Sequence, residues 1–348
     1  MWSRVSCVGA LAALAGAFGC SGDGGGEPVS SKIDQVISQE VPTIPLAAGE
    51  EQNDTCFSWT LDNEEPLYVN TVRMTGTPGI HHSNWFYVTG DRYEGPDGIW
   101  SCRSRDFDTV GSAGSGGVLF AQSTQAIDET QQFPAGNALM LPPGARIVAD
   151  LHLLNTIGED TDVEIDLELQ TLAEEDVTQV LHALAVDYPT IDIPPRSVSQ
   201  FITECSMDSR HRAALGRPLD FEIKYVLPHY HDLGTMLRLE VVGGDRDGEV
   251  IWETNSSIGE PLGGQLETPF DLTGADGVRL TCEYDNPRDE SVQYGVGDQE
   301  MCVAFAFTDS EKVWGATTLG HEPELIEDGD IKKYDAGCLA IAADPPAE

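Results

Sequence analysis

The chain has 348 residues, and its 19 Lys plus Arg stand against 59 Asp plus Glu, a formal net charge of −40 at pH 7. That imbalance argues against any polyanionic partner, so neither nucleic acid nor an anionic bilayer surface is expected to be bound through charge. Its plain consequence is solubility in an extracytoplasmic or salty setting.

Residues 1–19 carry Arg4, an apolar run from Val5 through Phe18 and small residues just before Cys20, the layout of a secretory signal. Ala17-Phe18-Gly19-Cys20 is similar to the bacterial lipobox, whose cysteine is lipidated and becomes the first mature residue. The run is too short for a transmembrane helix. The expectation is an exported bacterial lipoprotein, periplasmic or on the cell surface, held to the membrane by its lipid alone; the alternative is an ordinary cleaved signal with an incidental cysteine. Residues 20–50, rich in Gly, Pro, Ser and acidic groups, are expected to form a flexible tether, with a short helix around Ile33, Val36 and Ile37 as the one exception.

The folded body is expected to begin at 51–53. Val163, Ile165, Leu167 and Leu169 alternate with Glu164, Asp166, Glu168 and Gln170, the pattern of a strand with one wet face. Similar alternation runs through 56–61, 147–153, 221–227, 236–242, 278–284 and 301–307, between clusters of Gly, Pro, Asn and Asp. No long amphipathic helix stands out. These patterns predict an all-β protein of two consecutive antiparallel, jelly-roll-like β-sandwich domains, 51–172 and 173–348. The glycine-rich Gly111 to Gly117 stretch reads as a mobile surface loop. Asp245-Arg246-Asp247-Gly248 reads as a hairpin turn and not a calcium loop, because no acidic residue stands at the twelfth loop position.

With Cys7 in the signal and Cys20 taken by lipid, Cys56, Cys102, Cys205, Cys282, Cys302 and Cys338 remain. Six cysteines in an exported chain permit three disulfides in fifteen pairings, and none forms a Cys-x-x-Cys.

Five of the eight histidines fall into three groups: His81 with His82, then His152, then His229 with His231. Residues two apart on a strand share a face, so His229 and His231 can converge on one ion at the strand end marked by Asp232-Leu233-Gly234. Adjacent His81 and His82 point to opposite faces of a regular strand; they share an ion only if the strand ends or bulges there. His152 alternates with apolar residues, where a lone histidine is more often a satisfied buried group. Met301 opens the apolar strand Met301-Cys302-Val303-Ala304-Phe305 and taken alone reads as core. His182, His211 and His321 have no partner in the pattern. Imidazole suits copper, zinc, iron and nickel, whereas a thioether is a soft ligand that favours copper, above all Cu(I).

Taken in order, these segments resemble the ascorbate-dependent type II copper monooxygenases, the family of peptidylglycine α-hydroxylating monooxygenase and dopamine β-monooxygenase. His81-His82 with Ser83-Asn84-Trp85-Phe86 looks like the family's paired-histidine segment, and Asp150-Leu151-His152 like the strand with its third histidine. His229-Tyr230-His231-Asp232-Leu233-Gly234 resembles its His-x-His block, and Asp298-Gln299-Glu300-Met301-Cys302 its acidic-Met-Cys segment. The likeness covers roughly Asn53 to Phe307 and fills all six ligand positions.

The resemblance implies two copper ions, one held by His81, His82 and His152 to take up electrons, the other by His229, His231 and Met301 to bind O2 and act on a substrate C–H bond, with ascorbate as reductant. It also implies disulfides Cys56–Cys102, Cys282–Cys302 and Cys205–Cys338. The peptide-hydroxylating members hold a substrate carboxylate with an arginine, an asparagine and a tyrosine where this chain has Leu227, Val303 and Phe305. A carboxylate buried against these three would lack a partner, so peptide amidation is not expected and an apolar or aromatic small molecule is. The competing expectations are a non-catalytic copper-binding lipoprotein for storage, delivery or sensing, and a structural β-sandwich protein with vestigial ligands.

Overall fold

The structure is a computed structural model that describes residues 32–256, 258–295 and 298–345. The expected signal peptide and the lipid-bearing Cys20 lie outside the described residues. Eleven strands make the first half: β1 Ile33–Leu46, β2 Glu51–Thr60, β3 Leu67–Gly76, β4 Ile80–Val88, β5 Gly98–Ser101, β6 Gly117–Ala121, β7 Asp128–Gln132, β8 Asn137–Leu141, β9 Arg146–Leu154, β10 Thr161–Leu172 and β11 Gln179–Val180. The second half has β12 His182–Asp187, β13 Asp192–Ile193, β14 Ser197–Ser206, β15 Glu222–His229, β16 Gly234–Val242, β17 Val250–Thr254, β18 Gly264–Asp271, β19 Gly277–Asn286, β20 Val292–Gln293, β21 Val303–Thr308, β22 Val313–Thr317, β23 Glu324–Asp328, β24 Ile331–Asp335 and β25 Leu339–Ala343. The α-helices are α1 Thr109–Ser115 and α2 Asp208–Leu215.

The protein is all-β, as its alternating sequence demands. In the first half the sheet β1-β10-β3-β8-β11, with β7 also on β3, shares one hydrophobic core with the sheet β5-β2-β9-β4-β6. Val163, Ile165, Leu167 and Leu169 of β10 are buried in that core while Glu164 and Asp166 stay exposed, so the period of two sorts the strand by face. In the second half the sheet β18-β15-β21-β12-β22-β25 packs on β17-β16-β19-β14-β24-β23 around a second core. The halves meet at a seam, where Tyr225, Leu227 and Phe307 of the second half belong to the core of the first. Phe133 and Phe307 lie edge to face across it at 4.9 Å.

Four features differ from expectation. Residues 33–46 form an edge strand, not a tether or a short helix: β1 pairs with β10 from Ile33 opposite Leu172 to Leu46 opposite Thr161, and Val41, Ile44 and Leu46 are buried. Pro42 and Pro45 and a register shift between Val41 and Ile44 break its alternation, which an edge strand tolerates because one side needs no ladder. The sheets are not wholly antiparallel, since β12 runs parallel to β22, β14 to β24 and β11 to β8. That last pair carries the first half on to Val180, beyond 172. Within 111–117 the chain forms most of α1, where the Asp108 carboxylate caps the helix by accepting the Gly111 N–H at 2.7 Å. Glycine is required just after it, because a β-carbon at 116 would fall 1.7 Å from the Tyr87 carbonyl oxygen.

The Asp245 turn joins β16 to β17 as expected. Cys56–Cys102, Cys205–Cys338 and Cys282–Cys302 are disulfides, the three pairings the family resemblance implies. No helix among the described residues is long and apolar enough to cross a membrane.

Candidate metal centre

His81 and His82 sit early on β4, beside His152 on β9, and His82 pairs in register with His152. A register shift between Ile80 and His82 is the bulge that lets neighbouring histidines turn toward one point. His229 is the last residue of β15; Tyr230 follows, buried in the second core, and His231 comes just past the strand end. The seam therefore carries β4 and β9 of one sandwich against the end of β15 of the other.

The five histidines form a single cluster. One nitrogen from each of His81, His82 and His152 lies within 4.8 Å of the others, and the same holds for His82, His229 and His231. His82 belongs to both triads. All five rings are 1–3 % exposed. His81 Nδ1, His82 Nδ1, His231 Nε2 and both ring nitrogens of His229 are buried with no hydrogen-bond partner. Each orphaned polar atom costs about 1–3 kcal/mol, so a set of them in a folded chain calls for a bound group.

Burial sets the charge of the rings. It holds His81 down to about 3 and His231 down to about 4, and it holds His82 and His229 well below the imidazole range; neighbouring rings deepen the shift. His152 is lowered too, by burial, with Glu51 pulling the other way. The Gln122 carbonyl lies near enough to His229 to favour its charged form, yet makes no well-formed hydrogen bond to it. The rings are thus neutral lone-pair donors at ordinary pH, as a metal ligand must be.

Hydrogen bonds select which nitrogen two of the rings offer. His152 Nε2 donates to Glu51 at 2.9 Å, leaving Nδ1 as its lone pair, and that atom faces His82 Nε2 at 3.2 Å. His231 Nδ1 donates to the Gln299 carbonyl at 2.8 Å and turns Nε2 inward. Fixing of a ligand ring through its second nitrogen is what metal sites require.

Met301 lies just before β21, on the segment that Gln299 and Glu300 bind to the His-x-His pair. The buried Glu300 carboxylate accepts the backbone N–H groups of His231 at 2.8 Å, Leu233 at 2.6 Å and Met301 at 3.3 Å. Burial raises its pKa to about 7 against the pull of these bonds. Leu227 and Phe305 are paired across β15 and β21, as are His229 and Val303, so the four share one face. Leu227 and Val303 are buried and Phe305 half-buried, Leu227 and Phe305 against the first core. Cys56, Cys102 and Asp150 also cluster, but their sulfurs are joined to each other and offer no thiolate.

Glu51 and the segment 122–126, whose Thr124 hydroxyl donates to the Tyr230 carbonyl, were not legible in the sequence, since one carboxylate among 59 acidic residues has no distinguishing pattern and only the folded chain sets it beside His152. Glu300 stood there only as the acidic residue of the acidic-Met-Cys segment, with no sign of the three backbone bonds it accepts.

No known protein family and no curated protein matches the sequence. Among solved structures, PBCV-1 VP54, as fitted into a reconstruction of the virophage Sputnik, is 8 % identical over 81 % of this chain and 95 % of its own, with a TM-score of 0.27. A triple jelly-roll protein of an archaeal virus is 8 % identical over 76 % of this chain and 58 % of its own, with a TM-score of 0.21. At those scores neither bears on what this chain does.

Proposed function

We propose that this protein is an exported, lipid-anchored dicopper monooxygenase that hydroxylates a C–H bond of an organic small molecule. The observation that carries the reading is the set of five unpartnered nitrogens on buried, neutral histidines at the seam of the two sandwiches. Neutral imidazoles favour the late transition metals over the hard cations that take oxygen ligands, and the Met301 thioether that the family resemblance implies as a ligand would favour copper among them. The ordered resemblance of the ligand segments to the ascorbate-dependent copper monooxygenases supports the same choice.

His81, His82 and His152 would hold one ion, and His229, His231 and Met301 the other. Copper would supply one-electron redox chemistry and O2 binding. The chain's own part is to present neutral nitrogens, with Glu51 and the Gln299 carbonyl fixing two of the rings, and to shield the site from water by burial. Overall, a C–H bond, O2, two electrons and two protons give C–OH and water, the electrons coming singly from a donor such as ascorbate. Leu227, Val303 and Phe305 share the His229 face, so the groups beside that ligand are apolar and include no charged clamp for a carboxylate. Three disulfides suit an oxidising compartment.

The near-complete burial of all five histidines also suits the second reading, a copper-binding lipoprotein that stores, delivers or senses the metal without turnover. Oxygen uptake by the copper-loaded protein with ascorbate, across a panel of apolar and aromatic substrates, separates the two. Substrate-dependent uptake with a hydroxylated product supports the enzyme. Tight copper binding without uptake on any substrate favours the binder.

A further inference from the structure

We infer that the two ligand groups make one binuclear centre with His82 at its middle, held closed by the segment 122–126, and not two independent mononuclear sites. The inference rests on the copper reading above and concerns how the ions relate. Within the groups, ring centroids lie 4.7 Å apart for His81 and His152, 5.4 Å for His81 and His82, and 5.2 Å for His229 and His231. Between the groups they lie 4.8 Å apart for His82 and His229, 5.2 Å for His82 and His231, and 5.3 Å for His81 and His231. Rings from opposite sandwiches are as close as rings from the same one, so no solvent layer divides the groups. The two triads share His82, so ions held by them would be neighbours.

The closeness has an identifiable cause. Backbone bonds join segment 122–126 to β4 on both sides of His82: Gln122 N–H donates to the Ser83 carbonyl at 2.9 Å, and Gln125 N–H to the His81 carbonyl at 2.6 Å. From the same segment the Thr124 hydroxyl donates to the Tyr230 carbonyl at 2.8 Å, between His229 and His231. Gly259 N–H donates to the Thr124 carbonyl at 2.8 Å, and Leu262 N–H to the Ser123 hydroxyl at 2.9 Å. The buried Glu129 carboxylate accepts both the Ser123 N–H and its hydroxyl at 2.7 Å, so the segment is fixed from behind. Three residues of this segment, Gln122, Thr124 and Gln125, thus bond to the flanks of one ligand pair and to the centre of the other.

Proximity has an electrostatic consequence. Repulsion scales with the product of charges, so two Cu(II) ions in neighbouring seats repel four times as strongly as two Cu(I) ions at the same separation. Uptake of the second ion is therefore coupled to reduction, and the centre fills more readily with cuprous than with cupric copper.

The test is electron paramagnetic resonance of the full-length protein, loaded with Cu(II) and then counted for metal. The expected result is two coppers per chain with a spin-coupled, broadened spectrum and a half-field transition, with second-ion affinity at least roughly tenfold higher for Cu(I) than for Cu(II). Thr124→Val, which removes one bond to Tyr230 without entering the ligand set, is expected to keep two coppers and weaken the half-field signal. Two coppers giving two independent mononuclear spectra that sum to two full spins would overturn the inference and leave the copper reading standing. A wild-type protein that takes up no copper would overturn both.

Discussion

The carboxylate of Glu300 accepts the backbone N–H of His231 at 2.8 Å, so the residue beside Met301 holds the second histidine of the His-x-His pair in place. Its other acceptances, from Leu233 and Met301, make one buried side chain the common anchor of two ligand segments far apart in sequence. Glu300→Ala leaves three backbone donors without their acceptor and frees both segments. The expected outcome is a fall in copper affinity at the His229 and His231 seat of about 10- to 100-fold, the range for losing a group that orients a ligand. Copper titration reads it, with circular dichroism as the check on folding; unchanged affinity in a folded variant would remove Glu300 from this role.

Met301→His supplies a harder donor that still holds Cu(II) but favours Cu(I) less. Copper content is expected to stay near the wild-type level while ascorbate-dependent oxygen uptake falls at least roughly tenfold. Unchanged uptake would make Met301 an ordinary apolar residue. Phe305→Ala, by contrast, is expected to keep both coppers and change which substrates are consumed, because Phe305 lies on the His229 face two steps along β21 from Val303.

The pH dependence follows from the lowered histidines. An ordinary imidazole with pKa near 6.5 is mostly protonated at pH 5 and loses roughly 30-fold in availability to a metal. With His81 held near 3 and His231 near 4, protons compete with copper only below those values. Copper is therefore expected to survive dialysis at pH 5 and to leave near pH 3, measured by metal analysis. In the metal-free protein the same groups contribute stability that is complete above pH 6.5 and lost as pH falls toward 3–4. Glu129 and Glu300, both raised to about 7, act in the opposite sense: their contribution is complete below about 4.5 and lost as pH rises through 7. Melting of the apo protein at pH 5 should therefore differ little from pH 7, whereas melting at pH 3.5 should fall sharply.

Cys282–Cys302 closes a loop of 20 residues that ends next to Met301. Converting both cysteines to alanine is expected to lower stability by about 3 kcal/mol, the chain-entropy value for a loop of that length. Denaturant melts of the oxidised wild type and the double variant measure it. A difference under about 0.5 kcal/mol would mean that packing around Tyr284 and β21 already fixes the loop.

How much of this could be read from residues alone differs by element. β10 was legible because every second side chain is apolar and the pattern has no interruption. β1 was not, since Pro42, Pro45 and a register shift disrupt its period and its ladder comes from a strand more than a hundred residues away. The parallel pairs escaped for a similar reason: alternation reports which face is wet, and carries no information about strand direction. His229 and His231 were legible as a ligand pair from type and spacing, and His81 with His82 only on condition of a bulge, whereas His152 joined them through the family resemblance alone. Their union in one cluster was not legible, because it depends on the seam between sandwiches and on Thr124 reaching Tyr230, contacts that leave no local signature.

The Cys205–Cys338 bond spans 133 positions and makes most of the second half a covalent ring, with the Cys282–Cys302 loop nested inside it. His229, His231 and Met301 all lie within that ring. A protease that nicks the exposed turn at Gly248 would therefore release nothing: the two fragments would stay joined through sulfur, migrate as one species until reduced, and keep all three residues on one connected molecule.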